Sequence, residues 1–429
     1  MVPASPNLTF EFIGNACGIF TGNKGTRVLC DPWIENGVFD GSWYHYPPLT
    51  TKPEDVHNVD AVYVSHLQPD HFDERFFDFR KDIPIIALEH GHNFLRRKLL
   101  ELGHTNLILI KDGETSSFNE FSITLFAPFA RHNFYEATIG NLIDSAMIIE
   151  CNGVAAFNAN DNTPTPETCI ALKERFGTID LAMINYNAAG PYPASFVNLS
   201  EAEKLSEHDR VLARNIAYMH NLLETLQPRT VLPFAGAYIL GGKLSRLNNY
   251  LGTTTWDACA AELNKAGLTA TKTVCLREND ILDIGTGEPN RPYVALDNEH
   301  LGNYINHIAD DKYPYEYDEQ PDFGQLLTDL ELASDRMRER MARLGISSDC
   351  VISIAVNDAL TQIHPVFNNR LSTELTPRLD CALDLRLLRR ILDRSSHWNN
   401  AEIGCHIEFN RVPNDYQPDL HTALQFLHL

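Results

Sequence analysis

The sequence predicts an α/β protein, a four-layer αββα sandwich with an α+β appendage at its C-terminal end. Short apolar strands joined by turns occupy the first third of the chain, and further strands then alternate with helices. That order is expected of two sheets packed face to face with helices outside them. The length of 429 residues is also more than one hydrophobic core usually serves, so a large body with an appendage is expected.

The elements of this body follow from the spacing of apolar residues. Alternating or compact apolar runs predict strands at residues 8–13, 26–30, 61–65, 84–88, 107–110, 121–126, 147–151, 154–157, 181–184 and 230–232. Helical spacing predicts helices at residues 92–102 and 201–226, and Pro228 ends the second helix.

The chain changes character from about residue 290. An acidic, tyrosine-rich linker at residues 310–322 precedes a charged helix at residues 323–344, and another helix is predicted from about residue 381 to 395. We therefore predict two domains, the sandwich at residues 1–290 and a smaller α+β extension at residues 291–429.

Composition limits the classes of partner. Asp and Glu number 57 against 35 Lys and Arg, a formal charge of −22, which argues against nucleic acid or an anionic membrane as a main partner. Small anionic substrates stay open. No signal peptide and no apolar stretch of about 20 residues is apparent. Nine scattered cysteines without a Cys-x-x-Cys pair indicate reduced thiols, so a cytoplasmic location is expected.

One cluster of polar residues carries the chemistry. The apolar run 61–65 leads directly into His66, Gln68, Asp70 and His71. A buried strand that ends in a tight loop can direct such side chains to one point, and imidazole with carboxylate suits zinc, iron or manganese. A lone histidine here would be better explained as a loop-capping residue. The spaced set instead predicts metal ligands.

The pattern resembles the metallo-β-lactamase signature His-x-His-x-Asp-His, with Gln68 in place of the second histidine. The resemblance implies two further ligands, His132 after the strand at 121–126 and Asp161 after the strand at 154–157. A surface histidine and a turn aspartate are the alternatives at these positions. No histidine follows the strand near residue 232, so the ligand set is small for a two-zinc hydrolase and favours one metal ion, or iron in a mononuclear or dinuclear site.

Four other residues are candidate substrate contacts. His90 and His92 follow the strand at 84–88 and would lie on the same rim, Trp43 belongs to an aromatic run in an early loop, and Arg131 could bind an anionic group. The alternatives are a helix cap for the histidines, loop packing for Trp43 and a solvated charge for Arg131.

Further segments resemble the metallo-β-lactamase portion of CMP-N-acetylneuraminate hydroxylases. They are residues 144–150, 187–190, 226–229, 232–236 and 403–413, so the likeness runs from about residue 8 almost to the end. The resemblance implies hydroxylation that uses iron and electrons from outside. The paired Cys and His motifs of a Rieske module are not found in this sequence, so a separate electron-donor protein or a reductant would supply electrons.

Three functions remain open at this point. The first is a metal-dependent hydroxylase, a monooxygenase-type oxidoreductase, that acts on a small polar metabolite, for which a nucleotide sugar is one candidate. The second is a metallohydrolase of an ester, amide or phosphodiester, in which Asp70 or Asp161 would orient water as a general base. The third is a non-catalytic protein with a decayed metal site. Asp70 and Asp161 are the candidate catalytic residues for both enzymes, and metal content separates the enzymes from the third function.

Overall fold

The structure is a computed structural model that describes residues 7–91, 93–129, 144–346, 350–355, 363–367 and 377–429. Its strands are β1 (Leu8–Gly14), β2 (Cys17–Gly22), β3 (Arg27–Cys30), β4 (Trp43–Tyr44), β5 (Ala61–Tyr63), β6 (Ile85–Glu89), β7 (Leu107–Lys111), β8 (Thr115–Phe118), β9 (Phe121–Phe126), β10 (Ala146–Cys151), β11 (Val154–Asn160), β12 (Leu181–Ile184), β13 (Thr230–Pro233), β14 (Ile239–Leu240), β15 (Lys272–Thr273), β16 (Asp280–Asp283), β17 (Glu288–Pro289), β18 (Val351–Ala355), β19 (Ile363–Phe367), β20 (Arg378–Ala382) and β21 (Glu408–Val412). Its α-helices are α1 (Phe94–Glu101), α2 (Pro166–Phe176), α3 (Glu201–Leu226), α4 (Trp256–Lys265), α5 (Asn298–Ile308), α6 (Phe323–Leu344), α7 (Leu385–Asp393), α8 (Trp398–Ile403) and α9 (Pro418–Leu424).

Two sheets face each other across a hydrophobic core. In the described residues one sheet has eight strands in the order β17-β16-β1-β2-β3-β5-β6-β7, and the other has seven in the order β15-β13-β12-β11-β10-β9-β8. Alternate residues of both sheets, such as Phe10, Tyr63 and Met147, fill the space between them. Helix α1 covers the outer face of the first sheet, and α2, α3 and α4 cover that of the second. The predicted αββα sandwich is confirmed.

The strand directions bring the ends of several strands to one edge of the sandwich. Strands β3, β5, β6 and β7 run parallel to one another in the first sheet, and β11, β12 and β13 do so in the second. Strand β10 is antiparallel to β11 and therefore begins where β11 ends. A single edge of the sandwich therefore contains the residues that follow the parallel strands and those just before β10. Ligands of α/β folds commonly bind at such an edge.

The long helices begin and end where the sequence indicates. Helix α3 starts with a capping box in which Ser200 and Glu203 satisfy each other's backbone amides, and it ends at Gln227, whose left-handed conformation precedes Pro228. Helix α6 begins after Asp322 and ends at a left-handed Gly345. Both helices carry charged residues along one side, and no helix in the described ranges is long and apolar enough to cross a membrane.

One predicted helix began too early. Residues 381 and 382 belong to strand β20, whose burial alternates, and helix α7 begins only at Leu385. The Asp384 side chain accepts a hydrogen bond from the Arg386 amide at 2.9 Å and fixes this start. The sequence prediction joined the two elements because apolar residues continue across the turn. Strand β2 and the short strand β8 were also not predicted.

The C-terminal region packs on the sandwich through a shared core. Its described sheet has four strands in the order β19-β18-β20-β21. Helices α6, α7 and α8 contribute apolar residues to a cluster, here called the shared core, that also contains Trp33 and Trp43 from the segment between β3 and β5. The segment predicted as a linker is part of this core, because Tyr313 and Tyr315 are only 0% and 1% exposed. The division into domains near residue 290 stays a prediction.

A buried histidine in this shared core is held in its neutral form. Nδ1 of His406 accepts from the Tyr315 hydroxyl at 3.1 Å, and Nε2 donates to the Phe39 carbonyl at 2.9 Å. Each ring nitrogen therefore has one partner that fits a neutral imidazole. Burial lowers the pKa of His406 to about 4.

We expect the free energy of unfolding to fall as the pH decreases from about 6.5, the usual histidine pKa, toward 4. In this range the unfolded chain binds a proton at His406 that the folded protein excludes, at up to about 1.4 kcal/mol per pH unit. Burial raises the pKa of the nearby Asp40 to about 6, and its titration acts in the opposite direction. Denaturant titrations at pH 7, 6 and 5 should therefore compare the wild type with His406→Gln, and an equal pH dependence of both would contradict the assignment.

Candidate metal centre

Two histidines of one loop converge with an aspartate of the other sheet. His66 and His71 follow β5, and Asp161 follows β11. One potential ligand atom from each of the three lies within 4.8 Å of those of the other two. The rings are 1% and 0% exposed, so the arrangement is built into the protein interior.

The shortest distances define where a cation would sit. Nε2 of His71 is 3.5 Å from Oδ2 of Asp161 and 3.4 Å from Oδ2 of Asp70. Nε2 of His66 is 4.0 Å from the same Asp161 oxygen and 3.5 Å from Oδ1 of Asp144, which lies two residues before the start of β10. Both imidazoles thus direct Nε2 toward carboxylate oxygens from three separate segments.

Hydrogen bonds behind the rings fix their orientation. Asp31 accepts from the backbone amide and hydroxyl of Ser65 at 2.7 and 2.8 Å, and its Oδ2 lies 3.0 Å from Nδ1 of His71. The Ser65 hydroxyl is also 2.9 Å from Nδ1 of His66. Since that hydroxyl donates to Asp31, Nδ1 of His66 donates to Ser65 and Nδ1 of His71 donates to Asp31, which directs Nε2 of each ring toward the carboxylates.

The carboxylates are held in a similar way. The side-chain amide of Asn185 donates to Oδ1 of Asp161 at 2.6 Å. The other oxygen of Asp161, Oδ2, faces the histidines. The Asn15 amide donates to Oδ2 of Asp70 at 3.2 Å. Non-glycine residues with left-handed backbone surround the centre, namely Asn15 (φ 47°), Asp31 (φ 41°), Asn160 (φ 49°) and Ala235 (φ 53°). Such backbone strain concentrates at functional sites.

The electrostatics fit a bound cation. Burial alone would lower the pKa of His71, but the carboxylates of Asp70, Asp161 and Asp31 raise it well above the usual value. Burial also raises the pKa of Asp144, partly offset by His66. Oδ1 of Asp70 and Nε2 of His71 are buried and have no hydrogen-bond partner among the described residues. A divalent cation would bind such unpaired ligand atoms and would balance the charge of the buried carboxylates around them.

The centre opens into a large cavity. Gln68, Asp144 and Asp161 line one part of a cavity of about 800 Å³, and residues of α3, α8, the C-terminal segment and the segment that follows β12 line other parts. Cavities of this size accommodate metabolite-sized ligands. A substrate bound in it would contact the candidate metal centre directly.

The remaining predicted residues differ in where the structure places them. Oε1 of Gln68 is 3.0 Å from Nε2 of His66, so this residue lies at the centre. His90 follows β6 and is half-buried. The predicted contact of Trp43 with substrate is not what the structure shows. Trp43 is 2% exposed and stacks on Tyr238 with ring centroids 3.5 Å apart. It therefore belongs to the shared core and not to the cavity wall. His92, Arg131 and His132 lie outside the described residues.

Several residues of the centre were not predicted from the sequence. Asp144 was noted only within a segment of family likeness, and Asp31 was not singled out. Asp31 follows β3, which pairs in parallel with β5, and this pairing places Asp31 beside Ser65. Asp144 required the antiparallel pairing of β10 with β11, which local sequence does not reveal.

Most of the sandwich matches a known family of domains. Residues 26–234, which include His66, His71 and Asp161, match the model of the beta-lactamase superfamily domain. These residues form a beta-lactamase superfamily domain. The family likeness inferred from the sequence motif is thereby confirmed.

Curated proteins resemble the chain beyond this beta-lactamase superfamily domain. A protein of Mycolicibacterium smegmatis that bears the name of a Rieske 2Fe-2S iron-sulfur protein is 28% identical over 237 residues, which cover 52% of this chain and 42% of that protein. The cytidine monophosphate-N-acetylneuraminic acid hydroxylase of Mus musculus is 24% identical over 339 residues, which cover 75% of this chain and 53% of the hydroxylase. The chain thus spans about half the length of the curated relatives it matches.

Solved structures also resemble the chain, at low identity. CmlA, a diiron beta-hydroxylase from Streptomyces venezuelae, is 15% identical with a TM-score of 0.43, and the match covers 65% of this chain and 54% of CmlA. Hydrolases are among the similar structures as well. A fold does not by itself choose between hydroxylation and hydrolysis.

Proposed function

We propose that the chain is an iron-dependent hydroxylase that acts on a small polar metabolite. The observation that carries this proposal is the convergence of His66, His71 and Asp161, two imidazoles from one loop and one carboxylate from the other sheet, beside a cavity. Two histidines and one carboxylate with open coordination positions are the typical ligands of non-haem iron oxygenases. The hydroxylase of Mus musculus, which matches 75% of this chain, supports the same class.

The residues of the chain have separate roles in this proposal. His66, His71 and Asp161 would hold the iron, while Asp70 and Gln68 would complete its surroundings. Iron bound there would supply the activation of dioxygen, with electrons from a separate donor protein or a reductant. Asp31 and Ser65 keep the imidazoles oriented, and Asp144 on the cavity wall would contact the part of the substrate nearest the metal.

A metallohydrolase remains the second candidate, on the same observation. Two histidines and a carboxylate also bind catalytic zinc, which lowers the pKa of a coordinated water to about 7. Asp70 would then orient that water, since its Oδ1 is buried and has no partner among the described residues. The identity of the metal separates the two candidates.

The experiment compares protein loaded with iron and protein loaded with zinc. For the hydroxylase we expect the iron form, given ascorbate, to consume dissolved oxygen faster than the zinc form and faster than iron-treated Asp161→Ala. Asp78→Asn is the matched control, because this carboxylate is 94% exposed and does not belong to the cluster of His66, His71 and Asp161. Oxygen consumption equal to that of Asp161→Ala, together with hydrolysis of a nitrophenyl ester or phosphodiester by the zinc form, would replace the proposal by the hydrolase.

A further inference from the structure

The cavity contains an arginine in an unusual setting. Arg411 lies on β21 and lines the same cavity as Asp144 and Asp161, although only 8% of its surface is exposed. Its guanidinium carbon is 5.2 Å from the centre of the Tyr192 ring and 4.6 Å from that of Phe196. The two aromatic rings hold the cation in place and leave little freedom to the side chain.

Arg411 forms no close ion pair among the described residues, and the carboxylate of Asp415 acts on it only at longer range. Its Nε and Nη2 donate to the same neutral acceptor, Oδ1 of Asn414, at 3.2 and 2.8 Å. None of the described carboxylates forms an ion pair with it within 4.0 Å, including that of Asp415 in the same segment. Burial lowers the pKa of Arg411, which reflects the cost of this desolvated charge. A buried cation is normally paired, so an anion supplied from outside would relieve that cost.

Other carboxylates of the cavity wall already have partners. Oε1 of Glu402 is 2.5 Å from Nδ1 of His421, and its Oε2 accepts from Trp398 at 3.1 Å. Glu207, next to the cavity, binds Arg210 at 2.6 Å. These contacts leave them unavailable to neutralise Arg411.

A second arginine reaches the same cavity. The guanidinium of Arg214 on α3 bonds only to the amide oxygen of its neighbour Asn215, at 3.1 and 3.2 Å, in the described residues. Its charge is therefore also available to a ligand. Arg214 and Arg411 come from two different regions of the chain, α3 and the C-terminal strand β21, which together form this part of the wall.

We infer that Arg411, assisted by Arg214, binds an oxyanion of the substrate, a phosphoryl or a carboxylate group, while the reacting end of the substrate lies at the metal centre. The fork of N–H groups on a guanidinium matches two oxygens of either anion. The inference rests on the proposed function for the identity of the reacting end. The oxyanion subsite itself depends only on the residues of the cavity wall.

Titration calorimetry with inorganic phosphate and with acetate, at constant ionic strength set by sodium chloride, tests the subsite. We expect at least one of these anions to bind the wild type. Arg411→Gln should raise the dissociation constant of that anion at least about tenfold. Arg411→Lys should raise it by less, because lysine keeps the charge but not the fork of N–H groups. Arg214→Gln should also raise it by less, because Arg214 only assists. Arg229→Gln is the control, since this arginine is 64% exposed, pairs with Asp180 and does not line the cavity. Binding of phosphate alone assigns a phosphoryl group, and binding of acetate alone assigns a carboxylate.

His71→Ala separates this inference from the proposed function. Anion binding that survives in His71→Ala but weakens in Arg411→Gln supports the subsite, even if the protein proves to hold no metal. Binding that is lost in His71→Ala and unchanged in the arginine variants would place the anion on the metal and overturn the inference, as would the absence of binding to the wild type. If Arg411→Gln fails to fold, Arg411→Lys and Arg214→Gln decide by the same criterion.

Discussion

Replacing His71 with alanine should lower the affinity for iron(II) more than any other single substitution at the centre except that of His66. The ring of His71 is fully buried, and its Nε2 lies within 3.5 Å of both Asp70 and Asp161. Its loss removes one donor and leaves those carboxylates without an imidazole between them. Asp31→Asn should have a smaller effect, a roughly 10–100-fold weaker affinity, because it only releases the orientation of that ring. Competition against a chromophoric chelator under anaerobic conditions measures both.

His220→Ala is the matched control for this series. His220 lies on α3 and pairs with the exposed Glu224 at 3.7 Å, away from the loop that carries the candidate ligands. We expect its metal affinity to equal that of the wild type. Equal affinities of His71→Ala, Asp31→Asn and the wild type would show that the cluster does not bind metal.

Trp43→Ala should lower the free energy of unfolding by about 3–5 kcal/mol, as large truncations in a core do. Trp43 stacks on Tyr238 with ring planes 3° apart, and its indole nitrogen donates to the Ile403 carbonyl at 3.4 Å. These contacts join a loop of the first sheet to the C-terminal region, so the loss affects the shared core. Denaturant titration followed by circular dichroism measures the change.

Tyr317→Ala provides the comparison, because Tyr317 is 75% exposed and its removal should change the free energy of unfolding by less than about 0.5 kcal/mol. A loss below about 1 kcal/mol for Trp43→Ala would contradict its place in the core. It would also reopen the predicted contact of Trp43 with substrate.

Local pattern in the sequence identified much of the sandwich. Strands Phe121–Phe126 and Leu181–Ile184 and helix Glu201–Leu226 begin and end at the predicted residues. These elements have strong apolar periodicity and clear boundaries, such as the capping box at Ser200. Their limits depend on neighbours in sequence alone, which is why they could be predicted.

The candidate site was predicted only in part for the opposite reason. His66, Gln68, Asp70 and His71 occupy one loop, so their convergence could be inferred from spacing. The approach of Asp144 and Asp31 depends on how distant strands pair, which no local pattern encodes. Trp43 was misplaced because an aromatic loop has the same sequence whether it covers a cavity or contacts residues about 360 positions further along the chain.

The central claim is that the buried histidines and aspartates form an iron site. Elemental analysis of protein purified without added metal, beside His71→Ala and Asp161→Ala, tests it most directly. We expect near-stoichiometric iron in the wild type and background levels in both variants. Zinc in place of iron would favour the hydrolase, and a wild type that stays free of metal even after anaerobic reconstitution with iron and with zinc would contradict the account.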